Sequence, residues 1–270
     1  MKTLLCCAIL ALPLPLLAAE NTILLQSTTS TQNSGLYEFL LPKLEKDTGL
    51  NVHVVAVGTG QALKNAQNCD GDVVLVHAKP AEEAFVANGY GVQRFDVMYN
   101  DFVLIGPKDD PAKVRDAKDA ASALRAIAKA GAAFASRGDD SGTYKKEIAL
   151  WKAAGLIPAE SGESWYRETG SGMGATLNIA AGMGAYALTD RATWISFGNK
   201  AGLDILFQGD PDLFNQYGVI AVNPKHCPSV NAQGAAIFMD WILSPTGQAA
   251  IAAYRLKGQQ LFFPNANPDG

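Results

Sequence analysis

Val52-His53-Val54-Val55-Ala56-Val57-Gly58-Thr59-Gly60-Gln61-Ala62-Leu63 decides the fold. An apolar, largely β-branched run reads as a strand, Gly58-Thr59-Gly60 ends it, and a helix follows from Gln61. The same unit recurs on either side. Upstream, Ile23-Leu24-Leu25 reads as a strand and residues 34–46 as a helix with Leu36, Phe39, Leu40 and Leu44 on one face. Downstream, residues 72–77 form a strand and 81–88 a helix. Alternation of this kind predicts an α/β chain with a mostly parallel sheet and helices on both faces. Farther along, strands are expected at 102–105, 132–135, 186–188, 205–207 and 219–222. Helices are expected at 117–130, 142–154, 173–181, 235–243 and 248–254.

The first nineteen residues stand apart. Met1-Lys2-Thr3 carries one positive charge, residues 4–17 are apolar, and Ala18-Ala19 is a small-residue exit. These are the parts of a secretory signal, with cleavage after Ala18 or Ala19. The run is too short to span a bilayer, and Pro13 and Pro15 disfavour a buried helix. Removing 19 of the 270 residues leaves 251, and loss of Lys2 takes the formal net charge from −4 to −5. With 48% hydrophobic and 18% charged residues the chain is globular. It carries no basic footprint for nucleic acid. No disordered linker divides it, so two lobes would share crossing strands, at 100–106 outward and 217–222 returning. That places lobe I at 20–100 plus 217–270 and lobe II at 101–216, a discontinuous layout suited to a hinge. Cys69 and Cys227 survive export and form either one disulfide or two free buried thiols.

Signals for an enzyme are absent. His53, His77 and His226 are scattered, with no i,i+4 pair for zinc. Gly162-Glu163-Ser164-Trp165-Tyr166 lacks the final glycine of a nucleophile elbow. Leu63 stands where a dinucleotide fingerprint needs glycine, and no phosphate-loop lysine follows. Asp139-Asp140 reads as a pair of solvated turn caps. No catalytic residue, cofactor or metal is expected.

The positive signals share one design. Ser27-Thr28-Thr29-Ser30-Thr31, Gly58-Thr59-Gly60 and Arg137-Gly138-Asp139-Asp140-Ser141-Gly142-Thr143 each join a strand to a helix. Each places hydroxyls and bare N–H groups at a helix N-terminus, where an anion is favoured. One hydroxyl suffices for a cap; five in the first loop are an excess. Three N-termini supply roughly +1.5 charges, and Arg137 adds one, which balances a compact dianion. Ser171-Gly172-Met173-Gly174-Ala175-Thr176 is glycine-rich and offers a fourth such loop, with close helix–sheet packing the favoured reading.

These loops, with Met98-Tyr99-Asn100-Asp101-Phe102, Leu188-Thr189-Asp190-Arg191 and Tyr217-Gly218-Val219-Ile220-Ala221-Val222-Asn223-Pro224, carry a resemblance that covers nearly all of the mature chain. The sequence resembles the tungstate-binding substrate-capture proteins of bacterial ABC importers, within the phosphate/molybdate-type periplasmic binding proteins. The resemblance implies a two-lobe type II binding protein, a periplasmic monomer that closes on tungstate or molybdate and delivers it to an ABC permease and its ATPase. By position, Thr28, Thr29 and Thr59 would hold the anion from one lobe, and Arg137, Ser141, Gly142 and Thr143 from the other. Phosphate-binding relatives place an aspartate after the third strand to accept the phosphate proton; Val76-His77-Ala78-Lys79-Pro80 has none. Sulfate or phosphate capture, a periplasmic phosphoester- or sulfoester-processing enzyme, and a ligand sensor are the competing readings.

Overall fold

The computed structural model describes residues 21–266; the signal segment at 1–19 lies outside them. The chain opens with β1 (Thr22–Thr28), α1 (Thr29–Asn33), α2 (Leu36–Thr48), β2 (Asn51–Val57), α3 (Thr59–Gln67), β3 (Val73–Val76) and α4 (Lys79–Ala87). A 17-residue strand, β4 (Gly91–Pro107), follows. Next come α5 (Ala120–Ala130), β5 (Phe134–Ser136), α6 (Gly142–Ala153), α7 (Pro158–Ser161), β6 (Tyr166–Glu168), α8 (Met173–Met183), β7 (Ala187–Asp190), α9 (Arg191–Ser196) and β8 (Leu203–Phe207). The return is β9 (Phe214–Val222), α10 (Ala232–Leu243), α11 (Pro245–Ala253) and the short strands β10 (Arg255–Leu256), β11 (Gln259–Gln260) and β12 (Phe263–Pro264).

Strand order in the first half is β12-β4-β9-β3-β1-β2. β1 is parallel to β2 and β3, as the βαβα alternation requires. β9 runs antiparallel to β3 and to β4, so the sheet is mixed and the mostly parallel expectation holds only for its first three strands. Alternation sorts the side chains. Val73 and Leu75 face a core with Leu36 and Leu40 of α2 and Phe238 and Ile242 of α10. Val74 and Val76 face the other core, with Ala62 and Ala66 of α3 and Phe85 of α4.

β4 belongs to both halves. Its pairing with β9 ends at Asp101↔Phe214, and its pairing with β7 begins at Phe102↔Asp190. Beyond that step Phe102 and Leu104 enter one core with Leu124 and Trp151, while Val103 and Ile105 enter another with Met173 and Leu177. The strand reading at 102–105 is therefore the second half of a longer strand. Its first half, with Arg94 and Asp96 interspersed, lacks a continuous apolar signal.

Cys69 and Cys227 are disulfide-bonded across 158 residues of sequence. The bridge pins the end of α3 to the loop after β9. In the chain-entropy account, closing so long a loop stabilises the fold by on the order of 5 kcal/mol.

Candidate functional site

Each of the three loops emerges from a strand end and becomes the start of a helix. Thr28, last residue of β1, is the N-cap of α1: its Oγ1 accepts from Thr31 N at 3.3 Å. The same oxygen lies 2.7 Å from Thr31 Oγ1 and 3.1 Å from Ser30 Oγ. Thr28 is thus satisfied inside its own loop. Its neighbour Thr29 is not: Thr29 Oγ1 is buried without a hydrogen-bond partner. Thr59, first residue of α3, is fully buried and its Oγ1 is likewise unpartnered.

The arginine loop is built around Asp139. One carboxylate oxygen accepts from Arg137 Nη2 at 2.5 Å, and the other from Ser141 N at 3.1 Å. Asp139 therefore fastens the guanidinium to the start of α6, a task that a solvated turn cap would not perform. Ser141 Oγ caps α6 by accepting from Tyr144 N at 3.1 Å. Arg137 is 3% exposed, yet its Nε has no partner, and neither has Thr143 Oγ1. Helix geometry leaves the first-turn N–H groups of Gly142 and Thr143 without intrahelical acceptors.

Seven buried side-chain atoms among the described residues lack a partner. Four of them are Thr29 Oγ1, Thr59 Oγ1, Arg137 Nε and Thr143 Oγ1. An unmet buried donor costs roughly 1–3 kcal/mol, and native folds keep such groups rare. Their concentration in the three loops marks a place built for an acceptor-rich ligand.

The loops also meet. A Cβ placed on Gly142 would lie 3.0 Å from Thr59 Oγ1 and 2.9 Å from His77 Cε1. Only glycine lets the start of α6 approach the first half so closely. Gly60 N donates to the Asp140 carbonyl at 2.9 Å, a backbone bond between the halves. A Cβ on Gly172, the N-cap of α8, would sit 4.0 Å from Thr29 Oγ1. The glycine loop for which packing is the favoured reading thus brings a fourth helix start beside Thr29. Beside these groups a cleft of about 460 Å³ opens, lined by His77, Lys79, Gly142, Lys146, Phe214 and Asn215 among others.

Helix lengths change the charge estimate. α1 has five residues, too few for a substantial macrodipole, whereas α3 has nine and α6 twelve. Positive character therefore concentrates at Arg137 and α6. Burial pushes the His77 imidazole down to about 4, the nearby Arg137 charge acts in the same sense, and a bond to Asn215 opposes both. His77 is neutral at pH 7. Burial raises the Asp190 carboxyl to about 6, against hydrogen bonds from Thr193 and the Arg137 charge. Its Oδ2 is another of the unpartnered atoms.

His77, Ser30 and Asp190 are members of the quoted motifs that residue-type reasoning passes over. The signal for His77 lies in its place: it follows the third strand, the position that relatives of the phosphate type give to an acid.

A PBP superfamily domain model matches residues 18–246 of the chain. The tungstate-binding protein TupA of Peptoclostridium acidaminophilum is 50% identical over 252 residues, covering 92% of this chain and 87% of that protein. The structure of the tungstate-binding protein TupA from Desulfovibrio alaskensis G20 is 48% identical, with a TM-score of 0.78 over 91% of this chain and 99% of the other. The crystal structure of the tungstate ABC transporter from Geobacter sulfurreducens is 51% identical, with a TM-score of 0.80 over 87% and 100%.

Proposed function

The chain belongs to the PBP superfamily and, within it, to the Tup-type tungstate-binding proteins, and from that membership we propose that its three loops capture tungstate in a cleft between two lobes. The observation that carries the site is the set of unpartnered buried donors at Thr29, Thr59, Arg137 and Thr143. A tetrahedral dianion offers acceptors in several directions and no donor. Hydroxyls and a guanidinium answer that need. Ser141, with its oxygen engaged as a cap, retains a proton to donate, and Gly142 and Thr143 add backbone N–H groups. Thr28 acts by shaping its loop.

Within the described residues, 21–100 with 217–266 make one lobe and 101–216 the other, with β4 and β9 as the crossing strands. Closing the lobes shields the anion from water, which strengthens every charge-assisted bond to it. The protein works in the periplasm after removal of its signal, as a monomer without catalytic activity, and hands the anion to an ABC permease. Molybdate has the same shape and charge and is the nearest competitor.

Calorimetry on the mature chain with tungstate, molybdate, sulfate and phosphate tests this. Tight one-to-one binding of tungstate is expected. Heat from none of the four would end the proposal. Phosphate is the second reading, favoured by Asp190 Oδ2, a buried oxygen able to accept the proton of a monohydrogen anion; stronger binding of phosphate than of tungstate would select it.

A further inference from the structure

A buried chain of polar side chains runs from the first loop to the two strands that join the halves, and the oxoanion reading does not use it. His77 is 5% exposed and stacks on Tyr217, ring centroids 4.8 Å apart. Its Nε2 lies 3.0 Å from Ser30 Oγ and its Nδ1 lies 3.0 Å from Asn215 Oδ1. Asn215 in turn donates from Nδ2 to Asn100 Oδ1 at 2.6 Å. Asn100 and Asn215 are register partners on β4 and β9, adjacent to the step where β4 passes from one half to the other. Both are 2% exposed.

We infer that His77 is a positioning residue of the oxoanion site, held by Asn215 and Asn100 in the Nδ1–H tautomer so that it accepts the Ser30 hydroxyl proton and directs the first loop. The inference rests on the proposed oxoanion site and adds to it a residue that touches no ligand. The logic is one of donors and acceptors. With its amide nitrogen committed to Asn100, Asn215 presents only an oxygen to His77, so Nδ1 must carry the hydrogen. A neutral ring then has a bare Nε2, and Ser30 must donate to it. Ser30 Oγ is left as an acceptor facing Thr28, and the Thr28 hydroxyl is spent within the cluster on Ser30 or Thr31. Thr29 keeps the free proton. The relay thus commits the Ser30 and Thr28 hydroxyls inside the loop, beside a Thr29 hydroxyl that is left unpartnered for the anion, and it ties that commitment to the strands on which the halves turn.

The tautomer is measurable on the intact mature protein. Ring-nitrogen NMR has three histidines to resolve, and His77→Gln identifies the signal. In the ligand-free wild-type chain, between pH 6 and 8, His77 is expected as the neutral Nδ1–H form, and tungstate leaves it so. Asn215→Ala removes the lock; the wild-type tautomer should be lost and tungstate affinity should fall about tenfold, the effect of one buried hydrogen bond. Asn215→Asp keeps an oxygen toward Nδ1 and should retain the Nδ1–H bond. An Nε2–H signal in the wild-type chain, with tungstate binding intact, overturns the positioning role alone. Unchanged affinity in Asn215→Ala overturns it as well. Failure of the wild-type chain to bind tungstate removes the site on which the inference rests.

Discussion

The two halves of the molecule bring different chemistry to the loops where they meet. The first half brings Thr29 and Thr59, neutral hydroxyls on a short helix and a nine-residue helix. The second brings Arg137, 3% exposed, and the twelve-residue α6 whose cap Ser141 shares Asp139 with that arginine. The difference assigns separate tasks. In the proposed site the second half would supply the charge that attracts a dianion, and the first would supply oriented donors that a differently shaped or protonated anion would not match. A protein with an overall charge of −4 can hold an anion this way, because backbone donors and one buried arginine leave little trace in a net charge.

That division is broken most directly at Arg137. Arg137→Ala should weaken tungstate binding at least thirtyfold, since losing one partner of a buried charged pair costs about 2–5 kcal/mol. Calorimetry reads it, and a loss under tenfold would deny the second half its electrostatic role. Gly142→Ala tests the approach of the halves. Alanine favours helix, so α6 should keep its stability. The added Cβ, however, meets Thr59 Oγ1 and the His77 ring across the cleft, and affinity should fall by about tenfold as overpacking opposes closure. Scattering from the tungstate-loaded variant should show a larger radius than wild type.

Within the first half, Thr29→Val removes a free donor and should cost about tenfold in affinity with little change in Tm. Thr28→Val removes a helix cap and should lower Tm, with a cost of about 1 kcal/mol. Equal effects of the two on affinity would show that the first loop is not sorted into donor and cap. A separate effect concerns pH without ligand. The His77 value of about 4 in the fold lies below its ordinary 6.5. Stability from this group is complete above pH 6.5 and is lost as pH falls toward 4, because the unfolded chain takes up a proton that the fold refuses. The loss reaches about 3 kcal/mol. Asp190, raised to about 6, acts oppositely over the same range. Denaturation of His77→Gln against wild type at pH 7 and pH 4.5 isolates the histidine. A smaller pH-dependent loss is expected in the variant, and equal losses would contradict its neutral burial.

Much of this was legible in the sequence. Strand-to-helix alternation gave β1 to β3, α2 to α4, and the longer later helices α5, α6, α8, α10 and α11 to within a few residues, because apolar periodicity is a local property; the short helices α7 and α9, of four and six residues, carry too little periodicity to be read. The sense of β9 was not local: its antiparallel seat between β3 and β4 follows from β4 carrying the chain away and β9 bringing it back. α1 escaped because Thr28-Thr29-Ser30-Thr31 has poor helix propensity and forms its turn through the Thr28 cap. Arg137, Thr59 and Thr143, whose unpartnered atoms make them candidates, stand out already in their loops. The partition of Thr28 from Thr29 could not, since it depends on Ser30, His77 and Asn215, the last of them 138 residues beyond His77.

In the proposed site the unpartnered donors of three loops surround one oxoanion. Crystals grown with tungstate and measured at a tungsten absorption edge test it most directly, because anomalous scattering locates the metal without reference to the protein. One strong peak is expected, with the tungstate oxygens within hydrogen-bond distance of Thr29, Thr59, Arg137 and Thr143. A peak elsewhere on the chain, or none at saturating tungstate, would contradict it.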